Sequence, residues 1–269
     1  MKGNLGILLL IVVSLDSFSC QTVPITGREQ LSFVPASQIL PMSFNQYQDF
    51  LSKHTVVEHG EQTEMVKRVG TRIESAVERY FSEHGLSSRL KGYQWEFNLV
   101  EDKQANAWCM PGGKVVVYSG ILPVTRDENG LAVVLGHEIA HAVANHGGER
   151  MSQALLVEMG GLTLDAALSQ NETKTNSLFL AAFGLGAQVG ILLPYSRVQE
   201  SEADHLGLIF MAMAGYDPSG AVAFWERMIS SKIGSSPPEL LSDHPADARR
   251  IENIKELLPE ANGYYKPRG

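Results

Sequence analysis

Cysteine is scarce in this chain: 269 residues hold two, Cys20 and Cys109. Two cysteines make no disulfide framework. Cys109 lies in an apolar, strand-like run and reads as a small buried hydrophobe, not a nucleophile. Basic charge is also short, with 22 Lys and Arg against 30 Asp and Glu and a formal charge of −8. Nucleic-acid binding shows itself as a basic patch, so no nucleic-acid partner is expected. Internal repeats and low-complexity stretches are missing too. What is present is ordinary for a folded protein: 44% hydrophobic and 19% charged residues. The length allows a sizeable core in one domain, or one domain plus a tail.

The N-terminus has the layout of an exported leader. Lys2 precedes the nine-residue apolar run LGILLLIVV from Leu5 to Val13, and Ser14 to Ser19 turn small and polar. Nine residues fall well short of the ~20 that cross a bilayer as a helix, so residues 1–19 read as a signal peptide. Ser19-Cys20 resembles a bacterial lipobox, with Phe18 and Asp16 as departures, and this makes Cys20 the expected point of lipidation. With Gln21 following, the expected location is the periplasmic face of the bacterial outer membrane. A soluble periplasmic protein is the alternative. Residues 20–42, with Pro24, Gly27, Pro35 and Pro41, read as a lipid-anchored tether that ends docked on the body. Residues 43–269 read as the catalytic domain.

Glu61 to Glu83 places apolar residues at helical spacing, from Met65 and Val66 through Tyr80 and Phe81, with Gly85 closing the helix. Tyr93–Val100, Ala105–Met110 and Lys114–Tyr118 read as strands, the last two joined across Pro111-Gly112-Gly113. Together they predict a small antiparallel sheet. A capping box of Thr125 and Glu128 is expected to open a helix through GLAVVLGHEIAHAVANH that stops at Gly147-Gly148. Apolar helices follow near 150–169 and 176–193. The second is more naturally a core helix, or one lying over the active site, than a membrane dip. Further helices are expected from Ser196 to Gly215, from Asp217-Pro218 to about Lys232, and from Asp243 to Leu258.

The informative segment is Gly136-His137-Glu138-Ile139-Ala140-His141. A helix turns about 100° per residue, so His137 and His141 share one face, one turn apart. Two neutral imidazoles so placed suit a zinc ion. Glu138 then sits beside the metal, placed to take a proton from its water. A third protein ligand is needed. His146 follows His141 by five residues. The longer pattern H-E-x-x-H-x-x-G-x-x-H fails, because Ala144 and Gly147 occupy its glycine and last histidine. Glu200 and Asp204, in RVQESEADHLG, are four apart on one helix face, while Glu202 points away. One carboxylate can bind the metal and the other can orient an imidazole. Spacing does not say which, and a solvated acidic face is the bland alternative.

GHEIAHAVANHG, SRVQESEADHLG and SDHPADARRI, with GREQLSFVP and ANAWCMPGGKVVVYSGIL, resemble the gluzincin zinc metallopeptidases of the CAAX-protease and heat-shock-protease (HtpX) type. The likeness is strongest to LoiP-type and BepA-type periplasmic lipoprotein proteases, and it covers about residues 25–255. The resemblance implies an α+β, mostly helical zincin domain with its active-site helix against the sheet, and one zinc ion per chain. It makes Glu200 the third metal ligand and Asp204 a hydrogen-bond partner of a ligating imidazole. It places Asn106, Ala107 and Trp108 on an edge strand that pairs with substrate backbone. It also brings His244 of His244-Pro245 near the metal, as oxyanion stabiliser or resting fourth ligand. The repeat domain of BepA-type proteins is not found in these 269 residues. The expected function is hydrolysis of peptide bonds in unfolded or misassembled envelope proteins through a zinc-bound water and Glu138. The alternatives are a zinc-retaining chaperone or assembly factor, latched by His244 with weak protease activity, and a membrane-embedded protease spanning with residues 176–193.

Overall fold

In the computed structural model, residues 20–159, 172–183, 196–231, 240–244 and 248–267 are described. The segment expected to be a tether is folded onto the body. Strands β1 (Cys20–Thr22) and β2 (Glu29–Leu31) form an antiparallel hairpin, Gln21 opposite Gln30. Helix α1 (Ala36–Lys53) follows. Val23, Val34 and Ile39 are buried in this stretch. The buried Gln30 amide donates to the Ala144 carbonyl at 2.6 Å, which ties the hairpin to the end of the central helix.

Helix α2 (Glu61–Glu83) buries the apolar stripe its spacing predicts, and Gly85 ends it with φ 69°. The sheet contains β3 (Glu96–Val100), β4 (Ala107–Met110) and β5 (Lys114–Tyr118), in the order β3-β5-β4. The β4–β5 hairpin is antiparallel, but β3 runs parallel to β5, with Phe97 opposite Val115. The expected antiparallel sheet is therefore mixed. The reason lies in KVVVY: β5 is buried along its whole length and takes the central place, as strands apolar on both faces do.

Helix α3 (Glu128–Val143) carries the H-E-x-x-H segment. Its cap is Asp127, which accepts from the Gly130 amide at 2.8 Å. The expected Thr125 cap fails because Thr125 donates to the Leu122 carbonyl within a preceding helical turn. Nor does Gly147-Gly148 stop this helix. Asn145, at φ 62°, ends it earlier, and both glycines lie inside α4 (His146–Met159). Beyond α5 (Glu172–Ala182) comes α6 (Arg197–Met213), opened by a reciprocal Ser196–Gln199 capping box. Then α7 (Gly220–Ser230), a helical turn at Leu240–Asp243, and α8 (Ala248–Tyr264) follow. Residues 160–169 and 184–193 of the two expected apolar helices lie outside the described residues. Among the described residues, no helix is long and apolar enough to cross a membrane.

Every residue of α3 from Gly130 to Val143 is buried. The sheet packs on one side of it and α6 crosses the other. The crossing is close because it is glycine on glycine: a Cβ on Gly136 would lie 2.8 Å from the Gly207 carbonyl oxygen, and one on Gly207 2.9 Å from the His137 nitrogen. On the opposite face of the sheet, Trp108 packs edge-on against Tyr47 and Phe50 of α1. The α+β, mostly helical class expected of the chain is the class observed.

Candidate metal centre

Helical spacing puts His137 and His141 side by side on α3, with their Nε2 atoms 3.1 Å apart. The glycine crossing brings α6 near enough for Glu200 to face both. Its carboxylate lies 3.3 Å from His141 Nε2 and 3.5 Å from His137 Nε2. The turn before α8 adds His244, whose Nδ1 is 2.8 Å from Glu200 and 3.2 Å from His137 Nε2. One donor atom from each of these four buried residues lies within 4.8 Å of the others. Segments far apart in the chain thus converge on one point.

That point fits a cation. His137 Nδ1 sits 3.0 Å from Asp204, so it carries the proton and donates, leaving the Nε2 lone pair facing inward. Lone pairs from several imidazoles and a carboxylate then meet in a buried space, which is unfavourable without a positive charge between them. The local field agrees. Burial and Arg250 oppose protonation of His137, yet the Asp204 and Glu200 carboxylates raise its pKa overall. Three histidines and one carboxylate are a donor set that suits zinc.

Burial lowers His141 well below the ordinary histidine value, which leaves it neutral, as a ligand must be. Glu200 is held well below the carboxylate range because His244 and Arg250 overcome its burial. Arg250 is the residue that sequence reasoning missed. Its guanidinium forks onto Asp204 with two contacts of 2.8 Å and reaches Glu200 with a third of 2.8 Å. Its guanidinium carbon lies over Trp225, 3.5 Å from the ring centre. The motif SDHPADARRI contained it, but nothing local distinguishes Arg250 from its exposed neighbour Arg249.

Glu138 is buried at the same face, with its carboxylate 3.6 Å from His244 Nε2. The bland alternative of a solvated acidic face is ruled out, since Glu200, Glu202 and Asp204 are all buried. Glu202 does point away from the other two. Its carboxylate meets His146 Nε2 at 3.1 Å and accepts from Arg28 and Thr26 of the hairpin. Burial alone would raise its pKa, but these partners hold it at about 2.

Ala107 opens the edge strand β4 and Asn106 immediately precedes it, and both are buried. The Leu240 amide donates to the Ala105 carbonyl beside them at 3.2 Å. Alternation along β4 puts Ala107 and Cys109 in the core shared with α3, and Trp108 in the cluster on the far face. Only the backbone of Trp108 therefore lies along the edge. Burial raises the Cys109 thiol well above its usual value, which suits a packing residue.

A model of peptidase family M48 matches residues 68–258. The chain is 38% identical over 187 residues to the mitochondrial metalloendopeptidase OMA1 of Saccharomyces cerevisiae, covering 67% of this chain and 52% of that one. Its Schizosaccharomyces pombe counterpart is 36% identical over 244 residues, 89% of this chain and 66% of its own. The beta-barrel assembly-enhancing protease of Yersinia pestis is 32% identical over 179 residues, 62% of this chain and 34% of its own. The chain thus spans about half to two thirds of the length of the first two relatives. These matches overturn the expected location. The relatives at 38% and 36% identity are named as mitochondrial, so neither an outer-membrane lipoprotein nor a soluble periplasmic protein follows from the resemblance.

Proposed function

The chain belongs to peptidase family M48, the zinc metallopeptidases, and from that premise we propose that it is an endopeptidase acting on unfolded or loop segments of proteins. What carries the reading is the convergence of four buried donors with Glu138 beside them. His137, His141 and Glu200 would hold the zinc ion. When bound, it polarises the scissile carbonyl and lowers the pKa of the attacking water to about 7. Glu138 accepts the proton of that water and delivers it to the leaving amine nitrogen as the carbon–nitrogen bond breaks. Asp204 holds His137 in the tautomer that leaves Nε2 free to bind, and Arg250 holds Asp204. The backbone of residues 106–108 pairs with an extended substrate, which selects for unfolded chain over folded surface.

The closed site also supports a resting state. Glu138, Ala107 and the four donors are all buried, and His244 stands among the donors. We read His244 as a fourth ligand that must swing out before substrate enters, and that then faces the oxyanion. A zinc-retaining chaperone with weak, latched protease activity is the second reading, and the same His244 placement supports it. Protein quality control suits both. Lipid attachment at Cys20 is kept as a separate proposal on the Ser19-Cys20 context, tested by the mass of the mature N-terminal peptide.

The deciding experiment is cleavage of casein, with bound zinc measured, for wild type, Glu138→Gln and His244→Ala. The endopeptidase reading expects zinc in all three and loss of cleavage in Glu138→Gln. Equal cleavage by Glu138→Gln and wild type would refute the mechanism. Zinc without cleavage in wild type, and gain of cleavage in His244→Ala, would establish the latch.

A further inference from the structure

The two imidazoles of α3 are oriented differently. His137 donates directly to Asp204, which Arg250 grips. His141 Nδ1 faces a third imidazole. Its partner at 2.9 Å is His146 Nδ1, at the start of α4. His146 Nε2 in turn lies 3.1 Å from Glu202. Arg28 reaches that carboxylate from the β1–β2 hairpin at 2.9 and 3.0 Å, and Thr26 adds its hydroxyl at 2.8 Å. The same guanidinium forks onto Glu149 at 2.7 and 2.8 Å, and Gln199 donates to Glu149 at 2.7 Å.

Two facing Nδ1 atoms make a hydrogen bond only if one carries the proton. If His141 is to bind through Nε2, its Nδ1 is the protonated atom and must donate. His146 Nδ1 then accepts, so its proton lies on Nε2, where Glu202 receives it. Every tautomer along the line follows from the last member, the carboxylate held by Arg28. We propose that His146, Glu202 and Arg28 form a second orienting arm for the metal centre, which makes the N-terminal hairpin a determinant of zinc affinity. These are positioning residues: none supplies a donor atom to the four-residue cluster, and His146 touches it only through His141 Nδ1. The inference rests on His141 being a zinc ligand.

Because the arm acts on affinity, zinc binding reads it directly. Wild type, His146→Phe, His146→Gln and Arg28→Met are compared by chelator competition and by the visible spectrum of the cobalt(II) forms. Partners of metal-bound histidines are worth about 10–100-fold in metal affinity. His146→Phe, which cannot accept from His141, is expected to lose that much and to shift the cobalt bands. His146→Gln restores an acceptor and should recover most of the loss. Arg28 is part-exposed, so Arg28→Met tests the arm without opening the core, and it should weaken zinc by roughly three- to ten-fold, less than the terminal partners. The proposal is overturned if both His146→Phe and Arg28→Met bind zinc within about two-fold of wild type with unchanged cobalt spectra. It is equally overturned if Arg28→Met only lowers the melting temperature of the metal-free protein and leaves affinity intact. A wild type that binds no zinc would refute the metal-centre reading itself, not the arm.

Discussion

Replacing Arg250 by methionine removes the cation that holds two buried carboxylates. The side chain makes three contacts of 2.8 Å, two to Asp204 and one to Glu200, and is itself buried. Removing one partner of a buried ion pair costs about 3–5 kcal/mol, because the other charge stays buried. The guanidinium over Trp225 contributes about 1–2 kcal/mol more, part of which the methionine side chain retains by packing on the ring. At about 2–4 °C per kcal/mol for a chain of this size, the metal-free variant should melt roughly 10 °C lower. Because Arg250 also holds Asp204 against His137, zinc should bind the variant more weakly and raise its melting temperature less than that of wild type. Thermal unfolding with chelator and with added zinc, followed by circular dichroism, measures both quantities. Arg250→Lys keeps the charge but cannot fork onto three oxygens, so it should fall between. A metal-free Arg250→Met protein that melts within about 2 °C of wild type would refute the reasoning.

Gly136→Ala and Gly207→Ala should each force α3 and α6 apart at the crossing, costing about 1–3 kcal/mol and weakening zinc binding as Glu200 retreats; unchanged zinc affinity would contradict the crossing's role. Trp108→Ala should cost about 3–5 kcal/mol in urea unfolding while leaving KM unchanged, because its ring packs on α1 away from Glu138. Glu128 links α3 to Arg68 and Arg72 of α2. Burial opposes its ionisation, but Arg68, Tyr216 and Arg72 together hold its pKa below the usual 4.5. A carboxyl depressed on folding stabilises above its unfolded pKa, and that contribution disappears as pH falls through the folded value. The stability difference between wild type and Glu128→Gln, about 1 kcal/mol at neutral pH, should therefore shrink below pH 4.5. A difference that stays constant through that range would contradict the assignment.

What could be read early follows the range of the interactions. The pairs His137–His141 and Glu200–Asp204 are one helical turn apart, so spacing alone put each on a common face. Glu202 was legible as pointing elsewhere, but not as meeting His146 and Arg28, which lie 56 and 174 residues away. Arg250 is 113 residues from His137, and in its own helix nothing separates it from a solvated arginine. Strand order was hidden for the same reason: placing β5 between β3 and β4 is a decision of burial over the whole sheet. The cap at Asp127 instead of Thr125 turned on a single hydroxyl bonding backward into the turn before the helix. Location is not legible in a short apolar run followed by cysteine, because such a leader says nothing of the mitochondrial relatives that the catalytic body resembles.

The hairpin contact bears on the order of events during synthesis. A chain emerges N-terminus first, at about 5–20 residues per second. Arg28 is made early and waits for Glu149 and then Glu202, while His137 and His141 wait for Glu200 and finally His244. Such distant pairings form slowly because their loops must close before any contact is gained. The nascent chain thus holds two histidines on a helix, which is not yet a site, until Glu200 has been added. On the proposed mechanism the metal centre is complete only once Glu200 has left the ribosome, so a chain made only through α3 cannot cut itself or its neighbours.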